Sequence, residues 1–296
     1  MRVAIVSAHP RNEMLLKSFR KKFKKVVYIP VEEIKLSVGE DFQVLYGDED
    51  LFSFDYVLTL PSYPKREFFY TLLRIIERDV EVPIPSKKFF MMWNKILLLR
   101  LLSQNGVKIR KTFAIAQNVA TRMILNKIKL PVIITPPSGK RVLVKSKETL
   151  GDVLSLFRPG YMVIIEKPLK PRSVVNIFIA GDDVIAYQRV DGREEETFLD
   201  KEMKELSLKI KELLSADFCY LKLLKLEKKV LVSEVNLSPD FQKFYEITGK
   251  NIAEILASHI REKLEKKKRG WLDGFIDSLT SFVRWVENEI GNIRSS

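Results

Sequence analysis

Val230 to Gly249 read VLVSEVNLSPDFQKFYEITG. The opening Val230–Asn236 is rich in β-branched residues, and with Phe218–Leu226 it predicts a hairpin turning at Glu227-Lys228-Lys229. In such a strand Glu234 and Asn236 project to one face, two residues apart. A carboxylate and an amide oxygen so placed, followed by the Ser238-Pro239 turn, suit a hard cation such as Mg²⁺ bridging phosphates. On the residues alone, a solvated or capping polar pair is the competing reading.

Upstream of the hairpin, Asp200–Ser215 has the spacing of an amphipathic helix, and two strands flank Ala180-Gly181-Asp182-Asp183 as another hairpin. Tyr161–Glu166 reads as a strong strand and Lys147–Phe157 as a helix. Strands near Thr112–Ala116, Val132–Thr135 and Arg141–Val144, a helix near 118–128 and a single helix over 86–105 complete the middle of the chain. Residues 2–7, 26–29 and 55–60 are apolar strand runs, separated by helical spacing over Asn12–Lys25 and followed by another helix over 65–78. That alternation predicts a small parallel α/β domain ending at Val82-Pro83-Ile84-Pro85, with α+β structure beyond it. Asn251–Leu264 is the last helix of the globular part. A basic segment, 261–269, then leads into apolar residues at helical spacing from Trp271 to Ile290, an amphipathic tail suited to self-docking or to a partner helix.

The 296 residues hold 51 Lys+Arg and 38 Asp+Glu, a net +13. From Val82 to Lys147 there are fourteen basic residues and no acid, so the whole excess sits in one stretch. Such a field implies an anionic partner: nucleotide phosphates, an acidic substrate, nucleic acid or a membrane surface. One cysteine and two histidines exclude a Cys/His zinc site and a disulfide framework. No G-x-G pair exists for a dinucleotide fingerprint, and Ile134 replaces the first glycine that a P-loop ending at Ser138-Gly139-Lys140 requires. The richest apolar run, 89–102, is interrupted by Lys95 and Arg100, and the opening MRVAIVSAHP has too short an apolar run for a signal peptide. A soluble chain in a reducing cytoplasm is therefore expected.

The closing segment resembles the E-V-N-x-S-P motif of the ATP-grasp superfamily, in particular its RimK-like glutamate ligases. The resemblance continues through Thr248-Gly249-Lys250-Asn251-Ile252-Ala253. Phe54-Asp55-Tyr56-Val57, Trp93-Asn94-Lys95, Pro131-Val132-Ile133-Ile134, Ile165-Glu166 and Gly181-Asp182-Asp183-Val184 fall in the family's order, covering about residues 1–260. It implies an ATP-grasp architecture: an N-terminal parallel α/β domain (1–85), two α+β subdomains (86–165 and 166–260) that clasp a nucleotide, and a basic linker and helical tail (261–296). It also implies ATP and Mg²⁺ as cofactors. A small-molecule or peptide carboxylate would be phosphorylated to an acyl phosphate, which an amine then attacks, so that an acidic amino acid such as glutamate is joined to an amine.

By the same resemblance, Lys95 would reach the phosphates, Glu166-Lys167-Pro168 would be the hinge along adenine, and Arg189 would lie beside the triphosphate. Glu234 and Asn236 would hold Mg²⁺, with Ser238 shaping the acceptor side. Four positions depart from the family's pattern. Thr135 and Asn176 stand where basic residues are expected, the glycine-rich lid is reduced to Pro136-Pro137-Ser138-Gly139-Lys140, and Lys222 replaces a metal-binding aspartate. Lys140 would stand in for the missing lysine, and Lys222 would supply a metal's charge. The residues alone also allow Lys95 to be a snorkelling lysine on a core helix. Three functions follow: an active carboxylate–amine ligase, a degenerate ATP-grasp protein that binds nucleotide or a partner without turnover, and a nucleic-acid-binding module using the acid-free stretch.

Overall fold

The computed structural model describes residues 1–39, 42–116, 128–135, 141–155, 162–227 and 229–294. The expected helix near 118–128 falls almost wholly, and the loop 136–140 with Lys140 entirely, outside the described residues.

The chain opens with β1 (Arg2–Ser7), α1 (Glu13–Arg20) and β2 (Lys25–Pro30). Asn12 caps α1 by accepting from the Leu15 N–H at 2.9 Å, and the helix buries Leu15, Leu16 and Phe19. The helix is shorter than its apolar spacing predicts, because the chain turns after Arg20 to begin β2. Three short strands follow, β3 (Lys35–Ser37), β4 (Gln43–Tyr46) and β5 (Glu49–Asp50), forming an antiparallel sheet. Each is too short to show an alternation, so the sequence gives no sign of them. Next come β6 (Tyr56–Leu60) and α2 (Arg66–Ile76). β1 pairs in parallel with both β2 and β6, and β6 is buried throughout, which explains its unbroken apolar run.

The helix expected over 86–105 is two helices, α3 (Ser86–Trp93) and α4 (Lys95–Gln104). Asn94 adopts an extended conformation (φ −84°, ψ 98°), and its side chain accepts from the Leu97 N–H at 3.3 Å. An asparagine that caps the next helix breaks the preceding one, and the break makes Lys95 the first residue of α4. After it, β7 (Thr112–Ala116), β8 (Val132–Thr135), β9 (Val142–Val144), α5 (Lys147–Ser155) and β10 (Met162–Glu166) build an antiparallel sheet ordered β7-β10-β8-β9, with α5 beside β9. Its core, including Ile115, Ile134, Leu150 and Val163, is separate from the main core.

The last part comprises β11 (Ser173–Ala180), β12 (Asp183–Val190), β13 (Arg193–Glu196), α6 (Lys201–Leu213), β14 (Phe218–Lys225), β15 (Val230–Asn236), α7 (Phe241–Thr248) and α8 (Ile252–Arg294). The strands form an antiparallel sheet ordered β13-β12-β11-β14-β15. Gly181 turns the β11–β12 hairpin at φ +57°, and a Cβ there would lie 2.7 Å from His259 Nδ1. Both the backbone conformation and the approach of α8 require glycine. Val175, Ile177, Ile179, Cys219 and Leu221 join the main core with Ile210, Leu256 and Ile260. On the other face Phe244 of α7 meets Tyr187, Phe178 and Tyr220 with ring centroids 5.0, 6.2 and 6.3 Å away.

α8 is continuous where the sequence reading had two helices, and its Trp271, Leu272 and Phe275 side chains are exposed rather than docked on the protein's own surface. Nearer its start, α8 is tied down by charge. Lys263 Nζ lies 2.9 Å from both Asp217 and Glu81, and the Tyr56 hydroxyl donates to Asp217 at 2.8 Å. This network joins the N-terminal sheet, the last sheet and the helix. Among the described residues, no helix is long and apolar enough to cross a membrane.

Candidate functional site

The face of the last sheet that α7 partly covers carries a row of polar side chains. In register across the strands lie Tyr187, Asn176, Lys222 and Glu234, and in the next row Phe178, Tyr220 and Asn236. The pairing of β14 with β15 shifts between Lys222 and Leu223, a bulge that sets Glu234 opposite Lys222.

Lys222 Nζ donates to Glu234 Oε2 at 2.8 Å, and Asn236 Nδ2 donates to Glu234 Oε1 at 2.9 Å. The Ser238 N–H donates to Asn236 Oδ1 at 2.8 Å. The Ser238 hydroxyl reaches the loop after β6, donating to the Pro61 carbonyl at 2.7 Å, and His9 Nε2 lies 3.1 Å from the same oxygen. The closing segment is thereby fastened to the loop after β6, at the C-terminal edge of the parallel strands. Tyr220 donates its phenolic proton to Asn176 Oδ1 at 2.7 Å, while the buried Asn176 Nδ2 has no acceptor.

A second cluster surrounds Glu166 at the end of β10, only 2% exposed. Lys95 lies 2.8 Å and Arg110 3.5 Å from its carboxylate, and the Thr112 hydroxyl donates to it at 3.1 Å. Arg110 also donates to the Lys167 carbonyl. Burial raises the Glu166 pKa, but Lys95 and Arg110 outweigh it and hold the carboxyl below its ordinary range. Ile109 bridges to Val232 of β15, which sets this cluster beside the strand carrying Glu234. Between α4 and β7 runs a groove of about 460 Å³ lined by Ile96, Leu99, Arg100, Arg110, Lys111 and Thr112, with no acid among its walls.

The structure therefore brings Lys95, Glu166 and Lys167 together, and separately Lys222, Glu234, Asn236 and Ser238. Pro168 follows in the segment joining β10 to β11. Arg189 stands on β12, one row from Tyr187, half exposed and 3.5 Å from Glu194. Arg110 and Thr112 escaped the sequence reading: among fourteen basic residues in one stretch, only burial beside Glu166 distinguishes Arg110. Tyr220 escaped it too, since its role depends on its register with Asn236 and its bond to Asn176.

As a magnesium cage this donor set does not fit. Mg²⁺ requires oxygen ligands in near-octahedral array. Both Glu234 oxygens accept N–H bonds, Asn236 Oδ1 accepts another, and an ammonium group occupies the spot between the strands. Among the described residues, no group of three or more His, Cys, Asp or Glu side chains is placed to hold a metal.

Sequence comparison matches residues 92–260, which contain both clusters, to the RimK-like ATP-grasp domain. The chain belongs to the RimK-like ATP-grasp family. Its fold and family are those of ATP-dependent carboxylate–amine ligases. The α-aminoadipate–LysW ligase LysX of Sulfurisphaera tokodaii is 27% identical over 197 residues, 58% of this chain and 69% of LysX. A probable α-L-glutamate ligase of Psychromonas ingrahamii is 25% identical over 202 residues, 60% of this chain and 67% of that protein. Among solved structures, a RimK domain ATP-grasp protein of Sphaerobacter thermophilus superposes with a TM-score of 0.71 at 18% identity, covering 88% of this chain and 99% of that one. The ATP-grasp ligase PsnB, solved with a minimal precursor, Mg and ADP, gives 0.65 at 16% identity over 88% of this chain and 98% of PsnB. The macrocyclase MdnC of Microcystis aeruginosa, bound to the precursor peptide MdnA, gives 0.67 at 14% identity over 87% and 98%. The match does not favour the nucleic-acid reading of the acid-free stretch.

Proposed function

We propose that this protein uses ATP to activate a carboxylate and joins it to the amine of an acidic amino acid, the carboxylate being presented by a peptide or protein. In the first step a carboxylate oxygen attacks the γ-phosphorus, the bond to the β-phosphate oxygen breaks, and ADP leaves. In the second the amine nitrogen attacks the acyl carbon, the C–O bond to phosphate breaks, and the amine proton is lost. Phosphate departs carrying one original carboxylate oxygen.

The observation that carries this reading is the placement of two charged clusters, Lys95–Glu166–Arg110 and Lys222–Glu234–Asn236, at the Ile109–Val232 junction of the family's own domain. Developing phosphoryl charge is stabilised by cations already held in place. In this account Lys95, Glu166, Lys167 and Pro168 serve the nucleotide site, Ser238 stands where that site meets the acceptor side, and Lys140, outside the described residues, is assigned to the nucleotide by the family's order alone. Arg189 and Lys222 face the transferring phosphoryl group, and Glu234 and Asn236 orient Lys222. An acidic amino acid fits the chain's basic surplus and the names of LysX and the α-L-glutamate ligases. A peptide partner is supported by the precursor peptides bound in PsnB and MdnC. A cytoplasmic location belongs to the same proposal and suits a chain whose one cysteine is buried and free.

The test is ADP release with ATP, peptides ending in glutamate, and glutamate or α-aminoadipate as the amine. The expected result is ADP in equal amount to an amide product. A folded protein that yields no ADP across a wide panel of peptide carboxylates and amines overturns the proposal.

A further inference from the structure

We propose that Lys222 is a fixed cation for the nucleotide's phosphates, so that this protein binds an ATP-type triphosphate without needing a divalent ion; the inference rests on the ligase reading above. The chemistry of the row supports it. A metal ion needs oxygen ligands facing an open place, and here each of those oxygens already holds an N–H donor and the Lys222 ammonium stands at that place: Glu234 accepts from Lys222 and Asn236, and Asn236 Oδ1 accepts from the Ser238 N–H. An anionic oxygen needs donors, and donors are what the row offers. Lys222 carries three N–H protons, of which Glu234 takes one.

Asn176 supplies the independent observation. It is in register with Lys222 on the neighbouring strand and 2% exposed. Tyr220 holds its oxygen, which fixes the amide so that Nδ2 is the unpaired atom, a buried donor with no acceptor. A donor left in that state is costly unless a ligand completes it. A phosphate oxygen drawn in by the Lys222 ammonium would complete Asn176 Nδ2 on the neighbouring strand once the side chains covering that atom shift, whereas a divalent cation is repelled by both donors. Glu234 then acts as a positioning residue, holding the ammonium on this face of the sheet, and it is itself held by Asn236.

The arrangement also explains why the cluster is only partly buried, with the Lys222 and Glu234 side chains 30% and 39% exposed. A lysine that must meet a ligand needs an open side, whereas a purely structural ion pair at this position would add little to stability.

Calorimetric titration with the non-hydrolysable analogue adenosine 5′-(β,γ-imido)triphosphate, in excess EDTA and in Mg²⁺, tests the inference on the wild-type protein without any substrate. The dissociation constant in EDTA is expected within about threefold of that in Mg²⁺, a difference smaller than one charge-assisted hydrogen bond would make. Lys222→Met is expected to weaken binding in EDTA by about tenfold or more. Lys222→Asp is expected to bind in Mg²⁺ and to lose binding in EDTA. Wild-type binding that appears only with Mg²⁺ overturns the inference while leaving the ligase reading in place. A Lys222→Met protein, folded by circular dichroism, that binds as tightly as wild type in EDTA also overturns it. No binding of the analogue under either condition overturns both.

Discussion

Lys222 and Glu234 face each other across β14 and β15 with Nζ and Oε2 2.8 Å apart, where a metal-binding pair of acids would leave a cation's place open. The pair converts an acceptor site into a donor site. If Glu234 serves to aim the ammonium, Glu234→Gln should lower kcat/KM by about tenfold or more through loss of oriented positive charge. Because the pair is partly exposed, global stability should change by less than about 1 kcal/mol. Steady-state kinetics beside thermal melting separate the two effects.

Glu166 carries a structural load as well. Replacing it with Gln leaves Lys95 and Arg110 without their shared counter-charge in a buried setting, which should cost about 3–5 kcal/mol in denaturant unfolding. Its folded pKa is depressed, so its contribution is fully present above the ordinary value of 4.5 and is lost as pH falls through the folded value. The gap between wild type and Glu166→Gln should therefore narrow on acidification below 4.5. A gap that stays constant there would contradict the assignment.

Lys263 gives the opposite pH dependence. Burial lowers its pKa, but Asp217 and Glu81 outweigh burial and raise it above 10.5. Its contribution is present below 10.5 and is lost as pH rises through the folded value. Lys263→Met should cost about 1–2 kcal/mol at neutral pH, discounted for its partial exposure. The difference from wild type should fade above pH 10.5 in denaturant titrations.

Cys219 is fully buried on β14, and burial pushes its thiol pKa up to about 12. A thiol-specific reagent at pH 8 should label it only after denaturant is added. Rapid labelling of the native protein would show that β14 opens far more readily than its packing implies.

Four strands of the last sheet (β11, β12, β14 and β15) and the parallel strands of the first are legible because their apolar runs are long or bounded by turn residues; β13, with the sequence REEE, carries no apolar residue to mark it. The split at Asn94 was not, since residues on both sides share helical apolar spacing and only the capping geometry of Asn94 separates them. α7 was hidden inside a stretch whose motif drew attention to ligands rather than to Phe241, Phe244 and Thr248 as a buried stripe. At the site, Glu234 and Asn236 stood out from strand alternation. Lys222 is named only by the family resemblance, and its pairing with Glu234 is not legible, because in a regular hairpin Ser233 would oppose Lys222, and the bulge puts Glu234 there. Arg110 and Glu166 are 56 residues apart, and nothing local in either segment announces their pairing.

The most direct test of carboxylate activation follows one oxygen atom. A peptide whose terminal glutamate carboxylates carry ¹⁸O is incubated with ATP, the protein, and glutamate or α-aminoadipate, and the released phosphate is analysed by mass spectrometry. The account predicts inorganic phosphate containing one ¹⁸O per turnover, alongside ADP and amide product. Unlabelled phosphate, or cleavage of ATP to AMP and pyrophosphate, would contradict it.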